Sequence, residues 1–229
     1  MIPSMIFGVL NLDPRGNTTL IRRALRQSGV RWPGGDFHAG DNIGLRCSTR
    51  QSGLFEDVKK NTRIVYNGEL YNYSELRGEL QAAGVTFKSR LDSELVLRAY
   101  ERWGAACQEK FNGEWAFAVW DGRKRRLFCS RDRFGLRPLY YFIGGDVFAF
   151  GSTARILFSC RSIKKEPDNN AVFHYLALNN YELPGGTFFK GVKQLEAGCC
   201  LLVCAGKKPE IRKYYSPEYN PEMGKFDAK

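Results

Sequence analysis

Seven cysteines, two histidines and one dense basic cluster are the residues of this 229-residue chain whose types alone suggest chemistry. The cysteines, at positions 47, 107, 129, 160, 199, 200 and 204, are odd in number and show no C-x-x-C spacing. With only His38 and His174 beside them, the usual zinc-ligand patterns are absent, and no metal site is expected. Cys199 and Cys200 are adjacent, so in a strand they point to opposite faces, which argues against joint ligation. All seven read as buried or half-buried free thiols. The net charge of +11 raises nucleic acid as a partner. Its densest cluster, Gly122-Arg123-Lys124-Arg125-Arg126, lies between two apolar runs and reads as a solvated hairpin connection. Neither an RNP aromatic pair nor a helix-turn-helix signature accompanies it, so nucleic acid is not the expected partner. Taken alone, Asn67-Gly68 reads as a turn and Asp92 as a helix N-cap.

The elements that must position such residues are strand-rich. Met5–Leu10 is a short apolar strand. Leu20, Ile21, Ala24 and Leu25 then share one helical face, opposite Arg22, Arg23 and Arg26, with Asn17 or Thr18 as the cap. Residues Gly29–Gly44, rich in Gly and Asp without a clear period, read as a long loop. Thr62–Tyr66 is a β-branched strand. A helix follows from about Tyr73 to Ala83, with Asn72 as cap, Glu75 three residues on and Gly84 as its stop. Val85–Lys88 fits a strand, and Asp92–Trp103 a second amphipathic helix. Trp115–Trp120, Leu127–Arg131, Leu139–Phe142 and Val147–Phe150 read as an antiparallel meander. Short helices near Ala154–Phe158 and Asn170–Leu178 precede strands near Gly198–Val203 and Ile211–Tyr215. Helices grouped between runs of strands predict an α+β fold with antiparallel sheets. Residues 1–215 are expected to form one domain, and 216–229 a linker or tail. Hydrophobic residues make up 43% of the chain, yet no apolar run approaches the roughly 18 residues of a membrane span. The first residues lack the pattern of a signal peptide, so a cytoplasmic protein is expected.

Several longer strings resemble the asparagine synthetase B family. They are Tyr66-Asn67-Gly68-Glu69-Leu70-Tyr71-Asn72-Tyr73-Ser74-Glu75-Leu76-Arg77, then Asp92-Ser93-Glu94 leading to Ala99-Tyr100-Glu101-Arg102-Trp103-Gly104. Further on come Phe111-Asn112-Gly113-Glu114-Trp115-Ala116-Phe117, Arg131-Asp132-Arg133-Phe134-Gly135-Leu136-Arg137-Pro138-Leu139-Tyr140-Tyr141, and Gly191-Val192-Lys193-Gln194-Leu195. The resemblance implies a class II glutamine amidotransferase domain of the N-terminal-nucleophile type, a four-layer α/β/β/α sandwich of two antiparallel sheets. In that family a leading cysteine attacks the side-chain amide of glutamine, with the free α-amine as its base, and the released ammonia passes to an ATP-using synthetase domain. The Ser-Gly-Gly-x-Asp-Ser pyrophosphate loop of that second domain does not occur here. A synthetase domain, C-terminal or separate, is therefore the implied partner, and ATP and Mg are expected only there, with no cofactor in this domain. A homodimer is left open.

Carried over residue by residue, the resemblance places Asn67 and Gly68 in an oxyanion hole, and Arg46, Glu69 and Asp92 among the substrate-binding groups, with Asp92 holding the α-amine of glutamine. It also exposes departures. Ile6-Phe7-Gly8 aligns with the family's Cys-Gly-Ile-Phe-Gly, so Ser4 stands where the cysteine should be, behind Met1-Ile2-Pro3. A hydroxyl without a base is a poor nucleophile, and the nitrogen of Ser4 lies in a peptide bond. The arginine expected to meet the glutamine carboxylate falls in register on Cys47, with Arg46 one position off, and one position flips the face of a strand. The family's Arg-Gly-Pro-Asp has become Arg31-Trp32-Pro33-Gly34-Gly35-Asp36, and the stretch from Thr49 to Arg63 is short. The expectation is a domain unable to hydrolyse glutamine. The alternative is a domain active after self-cleavage before Ser4. Arg131, Asp132, Arg133 and Pro138 are expected to be structural, through ion pairs and a turn.

Overall fold

The structure is a computed structural model that describes residues 5–13, 18–27, 36–48, 53–180 and 185–217. Sheet A comprises β1 (Ile6–Asn11), β2 (Phe37–Gly40), β3 (Ile43–Cys47), β8 (Tyr140–Gly144), β9 (Val147–Gly151) and β10 (Val192–Gln194), in the order β10-β8-β9-β1-β3-β2. Sheet B comprises β4 (Leu54–Asp57), β5 (Thr62–Leu70), β6 (Gly113–Asp121), β7 (Arg126–Arg131), β11 (Cys199–Cys204) and β12 (Glu210–Lys213), in the order β12-β11-β7-β6-β5-β4. Every pairing is antiparallel.

The alternation of side chains along the strands makes the layers. Ile6 and Leu10 of β1, Ile43, Leu45 and Cys47 of β3, Val65 of β5, and Ala116 and Ala118 of β6 fill the space between the sheets. Their neighbours Ile64, Tyr66, Trp115 and Phe117 turn the other way, onto α2 (Tyr73–Ala82) and α3 (Asp92–Trp103). Phe7 and Val9 turn outward on sheet A, onto α1 (Thr18–Gln27) and α4 (Ala154–Leu157). The result is the expected α/β/β/α sandwich, an α+β fold. The arginines at 22, 23 and 26 of α1 face outward while Ile21, Ala24 and Leu25 are buried. Cys199 and Cys200 fall on opposite faces of β11, as their adjacency requires. The last helix, α5 (Asn169–Leu178), is capped by Asp168, whose side chain accepts from the backbone of Asn170 and Ala171. No helix among the described residues is long and apolar enough to cross a membrane.

Four local readings are corrected. The predicted loop over Gly29–Gly44 holds β2 and the start of β3, joined by Asp41 and Asn42, both with φ near +60° (50° and 64°), as a two-residue hairpin turn demands. Strand β5 runs on through Asn67 and Gly68, which therefore form no turn. Val85–Lys88 is not a strand: the carboxylate of Glu94, fully buried in α3, takes the amides of Lys88 (2.8 Å) and Ser89 (2.6 Å), together with the Ser89 hydroxyl. Asn72 caps α2 by position only. Its side chain instead ties the segment to the end of the 3-10 helix Gly104–Lys110, donating to Lys110 O (3.0 Å) and accepting from Asn112 N (2.9 Å).

Candidate active site

Strand β5 carries the site, and its free edge explains why. Strand β4 covers β5 only as far as Val65, and Tyr66 N still reaches Gly53 O at 2.8 Å. Beyond that point no described strand pairs this edge. Leu70 N turns to the Asp92 carboxylate instead, at 3.1 Å. Since amides alternate sides along a strand, Gly68 N–H points out from the same edge, between Gly53 and Asp92. Asn67 lies on the inter-sheet face, two residues beyond Val65. It is 3% exposed, and its Oδ1 has no partner among the described residues. An outward backbone N–H beside a buried side-chain amide is the donor pair that an oxyanion needs.

The close approach here depends on glycine. A Cβ added at Gly68 would sit 2.1 Å from Glu114 O and 2.7 Å from Trp115 Cα, both main-chain atoms of β6. One at Gly113 would sit 2.2 Å from Glu69 O, so the two strands grip each other through a reciprocal pair of glycines.

Asp92 is the first residue of α3, and Leu91 takes the N-cap position, so the N-cap reading of Asp92 is corrected. Its carboxylate is spent on β5, and Glu94 fixes the preceding loop. Burial, and after it the nearby Glu69, raise its pKa; the Leu70 amide partly offsets this. Among the described residues no Lys or Arg nitrogen lies within 4 Å of Asp92 or Glu69. A carboxylate held without a cation favours an ammonium ligand. The sign for stability follows. A carboxyl with a raised folded-state pKa binds more protons folded than unfolded, so its contribution to stability falls as pH rises through that range. Asp92→Asn is therefore expected to stabilise the protein at pH 7, with the gain shrinking as pH falls towards ~4, the ordinary aspartate value, and absent below it. Urea unfolding at both values checks this, and a destabilised Asp92→Asn at pH 7 would contradict it.

Arg46 and Cys47 separate as the register requires. Cys47 is fully buried between the sheets opposite Ile6, while Arg46 lies on the α1 side of β3 and donates from Nη1 to Leu25 O near the end of α1. The structure thus brings Asn67, Gly68, Glu69 and Asp92 together and places the Arg46 guanidinium on the far side of sheet A. Ser4 and residues 31–35 lie outside the described residues. Two serines that the sequence reading did not single out pin the start of β1. Met5 N donates to Ser48 Oγ (2.8 Å) and Ile6 N to Ser152 Oγ (2.9 Å), while the amides of Ser48 and Ser152 return bonds to Met5 O and Ile6 O. No sequence signal marks them, because each follows a different strand. None of the seven cysteines stands at that start. Burial pushes the thiols of Cys107 and Cys129 far up and that of Cys160 to about 12, which suppresses the nucleophilic thiolate.

Residues 47–215 match the profile of the glutamine amidotransferase domain. The chain belongs to that family. Its relatives include the glutamine-hydrolyzing asparagine synthetase 3 of Bacillus subtilis, 35% identical over 164 residues that make up 72% of this chain and 26% of the relative. Asparagine synthetase 1 of the same organism is 32% identical, again over 72% of this chain and 26% of the relative. The chain thus spans about a quarter of the length of these curated relatives. In fold, this amidotransferase domain is similar to the glutamine phosphoribosylpyrophosphate amidotransferase of B. subtilis. The TM-score is 0.62 at 15% identity, over 93% of this chain and 50% of the other.

The Arg131–Pro138 motif is structural, but among the described residues not through ion pairs of its own first two residues. Asp132, fully buried, accepts the amides of Phe134 and Leu136 (3.0 Å each) and of Arg137 (2.9 Å). Arg131 donates to three carbonyls: Arg137 (2.9 Å), Leu195 (2.6 Å) and Gly135 (2.6 Å). Gly198 N reaches Asp132 O at 2.8 Å. Residues 132–139 cross from sheet B to sheet A, and 195–198 cross back. The motif therefore fastens the two crossovers together. The ion pair of the region is Arg137–Glu114.

Proposed function

We propose that this amidotransferase domain binds an amino-acid amide, glutamine by family, without hydrolysing it. We further propose that it serves as the scaffold for an ATP-dependent amide-forming domain, which alone would use ATP and Mg. The observation that carries the reading is the Pro3–Ser4 pair leading into β1, where the family's chemistry needs a cysteine with a free amine. The oxyanion donors and the unpaired carboxylates support retained binding, and the length of the relatives supports a synthetase partner. The expected result is no ammonia release from glutamine above buffer, measured on purified protein whose intact mass shows the Pro3–Ser4 bond present. Robust release from that species would overturn the reading. A mass corresponding to a chain starting at Ser4, together with activity, would establish the processed enzyme instead.

A further inference from the structure

We propose that the outer helical layer of sheet A binds double-stranded nucleic acid through its phosphates. The chain carries a net charge of +11, and in sequence its densest basic run is the β6–β7 hairpin at 122–126. That run is partly neutralised, because Asp121 Oδ2 lies 3.6 Å from Lys124 Nζ and 3.8 Å from Arg126 Nε. The fold assembles a larger cluster from two segments far apart in the chain. Helix α1 contributes Arg22, Arg23 and Arg26, all exposed, and residues 154–165 contribute Arg155, Arg161, Lys164 and Lys165, also exposed. Neither segment contains an Asp or a Glu. The carboxylate of Glu166, next in the chain, lies 3.9 Å from the Lys164 amine.

Shared packing puts these cations on one face. Ile21 and Leu25 of α1 and Ile156, Leu157 and Ile163 of the later segment are buried in a single cluster with Phe7 and Val9 of β1. Their charged neighbours therefore turn outward from the same layer, and Arg23 and Arg161 line one cleft between the two segments. The layer on the other side of the sandwich, α2 and α3, has the same length and the opposite sign, with five carboxylates against three arginines. Charge is thus sorted by layer, whereas charge kept for solubility alone works best with both signs interspersed. That opposite layer carries Asp92, so the basic face stands apart from the site described above. Arginines dominate the cluster, and their planar fork fits a phosphate with two hydrogen bonds. The described large apolar side chains of both segments are buried or half-buried, so a bilayer is offered no anchor. No exposed aromatic of either segment offers stacking to unpaired bases, which favours a duplex.

The test is fluorescence anisotropy of a labelled mixed-sequence duplex of about 20 base pairs, as DNA and as RNA, titrated with the full chain. The expected result is micromolar or tighter binding at about 50 mM salt, with log K falling against log salt at a slope of roughly −4 to −5 for DNA. Binding of either duplex supports the inference, and the tighter one identifies the preferred form. Replacing Arg22, Arg26 and Arg161 together by Gln should weaken binding on the order of a hundredfold and make the slope shallower by about two to three. Replacing the same three by Lys keeps the charge and should keep the slope. The control replaces Arg123, Lys124 and Arg125 by Gln, which removes as much charge from the hairpin and should cost less than about threefold. All six side chains are exposed, so unfolding midpoints should match the parent. No salt-dependent binding of either duplex, or equal losses in the two Gln triples, overturns the inference. So does tighter binding to phosphatidylserine vesicles or poly-L-glutamate than to both duplexes.

Discussion

Asp132→Ala is expected to cost about 3 kcal/mol of stability or more, the largest effect of a single polar truncation in this domain. Buried donors that lose their acceptor cost ~1–3 kcal/mol each, and the Asp132 carboxylate serves the amides of Phe134, Leu136 and Arg137. Full additivity is not reached, because Phe134 and Leu136 are 67% and 59% exposed and water can reach parts of the turn. The loss spreads because this loop holds Arg137 O and Gly135 O for Arg131, which also grips Leu195 O. Weakening the turn thus loosens both crossovers between the sheets. Asp132→Asn keeps an acceptor oxygen and should lose about half as much. Urea unfolding followed by tryptophan fluorescence measures both, and a loss under ~1 kcal/mol for Asp132→Ala would show that the turn holds without its carboxylate.

Gly68→Ala is the second large effect, again about 3 kcal/mol, and it acts on backbone instead of a side chain. The new methyl would meet Glu114 O at 2.1 Å and Trp115 Cα at 2.7 Å, and neither can rotate away as a side chain could. Overpacking of an ordinary core costs ~1–3 kcal/mol, and here relief requires β6 to move away from β5 in the middle of sheet B. Ligand binding should fall with stability, since Asn67 and the Gly68 amide move with the strand. Gly78→Ala is the control. Gly78 lies in α2 with nothing within 4 Å of an added Cβ, and alanine there should stabilise the helix by ~0.5–1 kcal/mol. Thermal unfolding of the two variants separates them. A Gly68→Ala protein as stable as the parent would mean that the strands part at little cost.

These effects also show which parts of the fold were legible in the sequence. Strands with strong alternation, such as Trp115–Trp120, and the apolar face of α1 were plain, because their burial follows from local period. The motif strings located Asn67, Gly68, Glu69 and Asp92 together, although their spacing alone reads as a turn and a cap. What stayed hidden depends on partners distant in the chain. Asn72 and Asp92 look like helix caps because capping is a local preference. Their side chains go instead to residues 110–112 and to β5, about 40 and 22 residues away. Val85–Lys88 has strand composition, but Glu94 supplies its acceptors before any strand can. The β2–β3 hairpin hid behind a Gly- and Asp-rich composition, although Asp41-Asn42 is itself a turn signal. Ser48 and Ser152 could be found only from the pairing of β1 with strands on both sides.

The position of β1 has a consequence for synthesis. One of its neighbours, β3, is complete by Cys47, but the other, β9, ends only at Gly151. A growing chain must therefore carry β1 with one bare edge while about a hundred further residues are added, on the order of 5–20 s at ribosomal rates. Sheet B has no such wait between β4 and β7, whose strands pair in chain order. During synthesis the β4–β7 part of sheet B can thus pair early, while the N-terminal strand stays open to foreign strands the longest.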